Sequence, residues 1–432
     1  MRVERMTAAE VAAAGGPAGA AAYLRSLVSG GESVAEAVLE IVERVRTEGD
    51  AAVLDYTRRF DTRGAEPGSL LVPASELEES VRTLPRGLLA GLEVTIANVA
   101  LVADAGAGQD VAVDLPQGHR VVLREVPVGS AAVYVPGGRA PYPSTVAMGV
   151  VTARAAGVID VAVCAPPGAD GQIDAAILGA CRLCGVHRVY RMGGAQAVAA
   201  LAYGTESVSA VDVIVGPGNL YVQEAKRLLF GTVGIDGFAG PSDLVVVVGA
   251  EADARAVELA ALDMLAQAEH GEGTIVAALA CSAALADEIA QLLDSLASER
   301  EPEGAVMAVL EVEAVREAIA LANAFAPEHL QLIGADAEAR SGLVTAAGCV
   351  FLGADSATAF GDYVAGSNHV LPTSGAARFA SGLNPRHFRR RMAEVRIGDA
   401  AATSLAAAGA PIARAEGFEW HARSMEARIR EN

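Results

Sequence analysis

The residues with the most chemical promise in this chain fall in a few short clusters. Gln267-Ala268-Glu269-His270 closes a helical run, and Gln267 and His270, three apart, share one side of a helix, where an amide oxygen and an imidazole could hold one ligand. A histidine attracted to the negative end of a helix dipole explains the same pattern without a metal. Glu328-His329 follows Pro327 at the close of a helical run from Val315 to Ala324. Two titratable groups side by side at a helix–strand junction could form an acid/base pair, and a solvated loop is the other reading. Asp362 in Phe360-Gly361-Asp362-Tyr363, His369 in Ser367-Asn368-His369, and His421 near the end add oxygen and nitrogen ligands. Cys181 and Cys184 make a C-x-x-C, but no second cysteine pair completes a zinc site, so a core role stands beside a redox one.

The elements that must position these groups alternate. From Val121 onward short β-branched runs (Ala131 to Val135, Val158 to Cys164, Arg188 to Met192, Val211 to Val215) are separated by helical segments, the texture of a parallel sheet flanked by helices. Several end in glycine turns, Pro136-Gly137-Gly138, Gly193-Gly194 and Gly216-Pro217-Gly218-Asn219, where ligands of open α/β sheets bind. The sequence lacks G-x-G-x-x-G, so a dinucleotide does not follow from spacing. The alternation resumes at Leu244 to Val248, Thr274 to Leu279, Leu330 to Ile333 and Val350 to Leu352, with a helix from Ala254 to Ala268 among them. The first thirty residues, rich in Ala and Gly, suggest an arm or a loosely packed helix, and a long helical stretch is expected from about Ala74 to Ala103.

With 432 residues and 52% hydrophobic content, the chain can bury a large core. Its net charge of -20 repels phosphate backbones and anionic membrane surfaces, which argues against nucleic acid and membrane partners. No run of consecutive apolar residues reaches membrane-spanning length, the start does not resemble a secretory signal, and five cysteines make no disulfide framework. The expected compartment is therefore the cytoplasm.

Taken in order, Tyr134-Val135-Pro136-Gly137-Gly138, Gly193-Gly194-Ala195-Gln196-Ala197, Gly216-Pro217-Gly218-Asn219, Ala239-Gly240-Pro241-Ser242, Gln267-Ala268-Glu269-His270, Ala326-Pro327-Glu328-His329, Gly361-Asp362-Tyr363 and Asn368-His369-Val370-Leu371-Pro372-Thr373 resemble the histidinol dehydrogenase family over nearly the whole chain. The resemblance implies oxidation of L-histidinol to L-histidine through a bound aldehyde, with two NAD as acceptors. It implies a Zn2+ ion held by Gln267, His270, Asp362 and His421, the last from a neighbouring subunit, so that the active site needs a homodimer. Tyr134, Gln196 and Asn219 would contact NAD. Ser242, His369 and Glu416 would contact substrate, together with His329 and the zinc-binding side chains. Two positions depart from the usual pattern, Asp243 for glutamate and Ser367 for threonine.

The chemistry of such a reaction needs a base for the alcohol proton, and His329 suits it near neutral pH. The second oxidation needs a tetrahedral intermediate. No cysteine lies in the matching blocks, so a hydrate is expected, with Glu328 activating the water. The resemblance further implies two incomplete Rossmann-like, aldehyde-dehydrogenase-like α/β domains in an intertwined dimer. The expected division is an arm at 1–30, a discontinuous zinc and substrate domain at 31–133 plus 240–382, an NAD-binding domain at 134–239, and a helical tail at 383–432 that serves the partner's site. The role of the arginine-rich stretch from Arg386 to Arg391 stays open between tail docking and anion binding. A relative acting on another polar alcohol and a zinc hydrolase are the competing functions; the hydrolase would leave Tyr134, Gln196 and Asn219 without a role.

Overall fold

The computed structural model describes residues 3–28, 33–137, 140–298, 300 and 303–429; Gly138 and the expected boundary between 30 and 31 lie outside them. Two all-parallel sheets organise the chain. The smaller has five strands in the order Arg188–Arg191, Asp160–Ala165, Ser130–Tyr134, Val213–Val215, Gly234–Ile235. The larger has six, in the order Val3–Met6, Val306–Glu311, Ile275–Ala280, Asp243–Val248, His329–Ile333, Cys349–Leu352. Strands such as Asp243–Val248 and Ile275–Ala280 are buried at every position, since helices cover both faces, and so read as unbroken apolar runs. In the small sheet the chain starts in the middle, winds to one side and then returns to the other; the large sheet does the same from Asp243–Val248 onward, with Val3–Met6 added at its edge. The resulting switch points lie between Ser130–Tyr134 and Val213–Val215, and between Asp243–Val248 and His329–Ile333.

The N-terminal segment is not an arm. Val3–Met6 pairs with Val306–Glu311 from Val3 opposite Met307 to Met6 opposite Leu310. Thr7 and Glu10 form a capping box on the helix Ala8–Ala13, and Gly16–Ser26 buries Ala20, Ala21 and Leu24 in the core that holds Leu321 and Phe325. Small side chains let these helices lie close, which is why a composition lacking periodicity still makes core.

The packing also differs from the expected grouping of 31–133 with 240–382. Helices Ala35–Glu48 and Asp50–Phe60 share a core with Gly194–Tyr203 and Leu220–Leu229, and Leu77 and Leu92 join the core on the other face of the small sheet. The expected helix from Ala74 to Ala103 is two, Ala74–Thr83 and Arg86–Gly106. They part at Leu84, which is extended before Pro85 as sterics at a pre-proline residue favour. Arg86–Gly106 is long and apolar enough to cross a membrane by length and composition; Leu92, Thr95, Val99 and Ala103 on it are buried, and it packs on Pro143–Ala155.

The arginine-rich stretch is largely a strand. Arg389–Arg396 runs antiparallel to Arg120–Pro127, with Val111–Asp114 on the far side. Arg389 donates to the carbonyls of Ala156 and Gly108, and Arg391 pairs with Glu125, so these two cations hold the strand in place rather than await an anion. The helices Asp399–Ala415 and Glu419–Glu426 then pack on each other through Ala410, Ala413 and Ala422.

Candidate active site

At the start of the strand His329–Ile333, three ionisable groups stand in a row. Nδ1 of His329 lies 3.8 Å from Glu328 Oε2, and its Nε2 lies 3.5 Å from Asp362 Oδ1. Gln267 Nε2 is 3.5 Å from the same Nδ1. Glu328 and His329 are 6% and 2% exposed, so the solvated-loop reading does not hold. Burial pushes the Glu328 carboxyl up to about 7, with His329 opposing the shift and Asp243 adding to it. Burial pulls His329 down, but the contact with Asp362 and the fields of Glu328, Asp362 and Asp243 outweigh it and leave the imidazole above its ordinary value. Asp362 is raised by burial, yet the His329 bond and the charges of His329, His369 and His270 bring it below the usual carboxylate range.

The backbone around Glu328 is fixed by reciprocal bonds. The Glu328 amide donates to Asp243 Oδ1 at 2.5 Å, and the Asp243 amide donates to Glu328 Oε2 at 3.2 Å. Arg25 holds Asp243 at 2.6 Å, donates to the carbonyl of Phe325 at 2.8 Å, and lies over the Phe325 ring. It thus caps the helix Val315–Phe325, whose C-cap Ala326 is left-handed at φ 53°, and turns the chain into Glu328. Arg25 escaped the sequence reading because it sits in the segment taken for an arm.

Of the other expected residues, His369 donates from Nδ1 to the Asp362 carbonyl at 2.9 Å, leaving Nε2 to accept from the Thr145 hydroxyl at 3.1 Å. His270 Nδ1 lies 3.0 Å from the Gln267 carbonyl, so its Nε2 keeps a lone pair. Ser242 stands one residue before the central strand and its carbonyl accepts from Ile275. Glu416 and His421 are exposed on the tail, where the His421 ring packs on Phe418. Among the described residues no hydrogen bond or ion pair joins them to the cluster. In the C-x-x-C, Cys181 is buried and its thiol is pushed well up, chiefly by burial, which favours the core role over the redox one.

A second concavity, about 1160 Å³, opens at the C-terminal ends of the small sheet's strands. Tyr134, Gln196 and Asn219 line it. Buried Tyr134 accepts at its hydroxyl from the Gly194 amide at 3.0 Å. Asn219 caps the helix Leu220–Leu229, its Oδ1 accepting from Tyr221 and Val222. The turn before it is pressed against its neighbour: Gly216 has φ +113°, and a Cβ there would meet the Tyr134 carbonyl oxygen at 2.2 Å. Lys226, 1% exposed, donates to Asp236 at 2.7 Å and to the Gly216 carbonyl, while the Gly216 amide donates to Asp236 Oδ2 at 2.7 Å. This buried pair pins the turn, and nothing in its spacing announced it.

A family model described as histidinol dehydrogenase matches residues 27–429. The chain is 40% identical over 433 residues to the histidinol dehydrogenase of Gluconobacter oxydans (strain 621H), covering 98% of this chain and 99% of that one. It is 41% identical over 396 residues to that of Parasynechococcus marenigrum (strain WH8102), covering 90% of each. The crystal structure of histidinol dehydrogenase from Elizabethkingia anophelis superposes with a TM-score of 0.90 at 27% identity, covering 99% of this chain and 98% of that one. With the site and the fold in agreement over this length, the chain belongs to the histidinol dehydrogenase family.

Proposed function

We propose that this protein oxidises L-histidinol to L-histidine in two successive steps, reducing two NAD, with Glu328 and His329 handling the protons. The observation that carries the proposal is the buried row Glu328, His329, Asp362, in which a carboxyl near 7 and a strengthened imidazole stand side by side. In the first step His329 takes the alcohol proton as the carbon is oxidised. In the second, Glu328 removes a proton from water, whose oxygen adds to the aldehyde carbon while His329 returns its proton to the aldehyde oxygen; His329 then takes a hydroxyl proton of the hydrate as the carbon's hydrogen leaves as hydride to the second NAD and the acid forms. Ser242 and His369, with Glu416 from a second copy of the chain, would position the substrate. Tyr134, Gln196 and Asn219 would position NAD in the cavity of the small sheet.

Gln267, His270 and Asp362, with His421 of a second copy, are the proposed zinc ligands. The donors suit the ion: Asp362 is held ionised, and the Nδ1 contact of His270 leaves Nε2 as acceptor. Among the described residues no three His, Cys, Asp or Glu form a metal-holding group, and the proposed set would use one amide and one ligand from another subunit. Zinc would supply positive charge that fixes an imidazole nitrogen and an amine of the substrate.

The test is NADH formed per L-histidinol consumed, with zinc and with a chelator. Two NADH, lost on chelation, is the expected result. One NADH with free aldehyde would overturn the role given to Glu328, and none would overturn the reaction. For the crossing tail, mixing His421→Ala chains with Glu328→Ala chains should restore partial activity; no recovery after verified subunit exchange would overturn the shared site.

A further inference from the structure

In the small sheet's cavity, hydrogen bonding sorts the polar side chains into those already engaged and those waiting. Asp170 accepts from the Gln172 amide, Asp174 caps a helix at Ala176, Gln172 accepts from Arg191, and Asn219 caps Leu220–Leu229. Among the described residues, two lining side chains carry a buried polar atom without a partner: Nε2 of Gln196, a donor, and Oδ2 of Asp61, an acceptor. A buried polar atom left unpaired costs about 1–3 kcal/mol, and in a ligand cleft the bound molecule is what relieves it. Gln196 belongs to a block shared with the family. Asp61 belongs to none, and it lies in the segment 31–133 that the sequence grouped with the other domain.

We propose that Asp61 accepts the hydroxyl groups of the adenosine ribose of the bound dinucleotide and so selects NAD over NADP; this rests on the reading of the cavity as the dinucleotide site. Asp61 follows the helix Asp50–Phe60, which packs on Gly194–Tyr203. The cavity is also lined by Ala140 and Pro141, a few residues before Thr145, which is bonded to His369 beside the proton-handling cluster. Hydride passes only over contact distance, so the nicotinamide takes the His369 end and the adenosine ribose the Asp61 end. A carboxylate accepts well from a vicinal diol and repels a 2′-phosphate, which is how dinucleotide sites on α/β sheets distinguish the two. Asp61 also lies close enough to act on the Tyr134 hydroxyl electrostatically, which keeps it within the same site. Burial pushes its carboxyl up to about 7, in keeping with a group that lacks donors until a ligand arrives.

The test is calorimetric titration of the zinc-loaded protein with NAD and with NADP, for wild type, Asp61→Ser and Asp61→Asn, alongside steady-state kinetics with L-histidinol. Asp61→Ser is expected to weaken NAD binding about tenfold and strengthen NADP binding about tenfold, a change of preference of about 100-fold. In the kinetics the loss with NAD should appear as a raised KM for NAD. Asp61→Asn keeps the shape and should move the preference the same way, which decides the matter if the serine variant does not fold. Equal loss for both dinucleotides, or no change in preference, would overturn the inference. Wild-type protein that binds NAD without oxidising histidinol would overturn the proposed reaction alone, leaving the role of Asp61 to be decided by the titrations. Wild-type protein that binds neither dinucleotide would overturn the inference together with the reading of the cavity.

Discussion

The two parallel sheets share a winding order and use opposite ends of it. In the small sheet the cavity lies past the C-terminal ends of the strands, where the helices Gly194–Tyr203 and Leu220–Leu229 begin. Helix N-termini present free amides and partial positive charge, which suits the pyrophosphate of a dinucleotide even without the glycine fingerprint. In the large sheet the ionisable cluster lies before the N-terminal ends of the strands, where Ala254–Ala268 and Val315–Phe325 finish. Helix C-termini carry the opposite partial charge, which suits a metal ion and an amine. The large sheet has its own C-terminal crevice, but a carboxylate fills it. Glu251 accepts from the Asp336 amide at 2.7 Å, and a Cβ on Gly249 or Gly334 would meet a Glu251 oxygen at 2.9 Å. One topology thus offers two crevices per sheet, and the side chains between the glycines decide which takes an anion.

The largest expected effect separates the two ends. Glu328→Gln should lower kcat for histidine formation by about 10³-fold while leaving the Kd for NAD within about twofold, because the change sits at the large sheet's end, away from the small sheet's cavity. Titration with NAD beside single-turnover kinetics measures both, and a parallel loss of NAD affinity would break the division of labour. A smaller effect should come from the other end. Lys226→Met leaves Asp236 buried and unpaired and frees the Gly216 turn, at a cost of about 3 kcal/mol in stability. The KM for NAD should rise about tenfold with the KM for histidinol unchanged, so a rise confined to histidinol would reverse the assignment of the ends.

Much of this arrangement was legible because buried parallel strands write themselves as apolar runs. The expected strand from Leu244 to Val248 is found at Asp243–Val248, and the helix from Ala254 to Ala268 within the same bounds. The strand Val306–Glu311 passed unnoticed, and Val3–Met6 is too short and too half-exposed to stand out from an Ala- and Gly-rich start. Long-range pairing escapes periodicity altogether. Arg25 reaches Asp243 across 218 positions, and Lys226 reaches Asp236 through a turn whose own residues look like any glycine loop. Asp61 lay equally out of reach, because an unpartnered oxygen is a property of the folded cleft and not of a residue type.

Asp61 also gives the smallest and most pointed prediction, since a carboxyl prepared for a ligand should weaken the protein that lacks one. Its folded value near 7 lies above the ordinary 3.8, so the folded state holds a proton longer than the unfolded chain. The stability it contributes is full below about pH 4, falls as pH rises towards 7, and stays lost above. Asp61→Asn cannot ionise and escapes that loss. Without dinucleotide, the variant should therefore match wild type near pH 4 and exceed it at pH 8, seen as a higher melting temperature. Glu328 titrates over the same range in both proteins, so the comparison cancels it. Saturating NAD should narrow or reverse the difference, because ribose hydroxyls would stabilise the ionised carboxylate of wild type alone. Melting curves at both pH values, with and without NAD, measure this directly. Equal stability at pH 8 would mean that Asp61 has a partner of its own in solution, and that the positive end of the small sheet contains no acceptor held ready for a ribose.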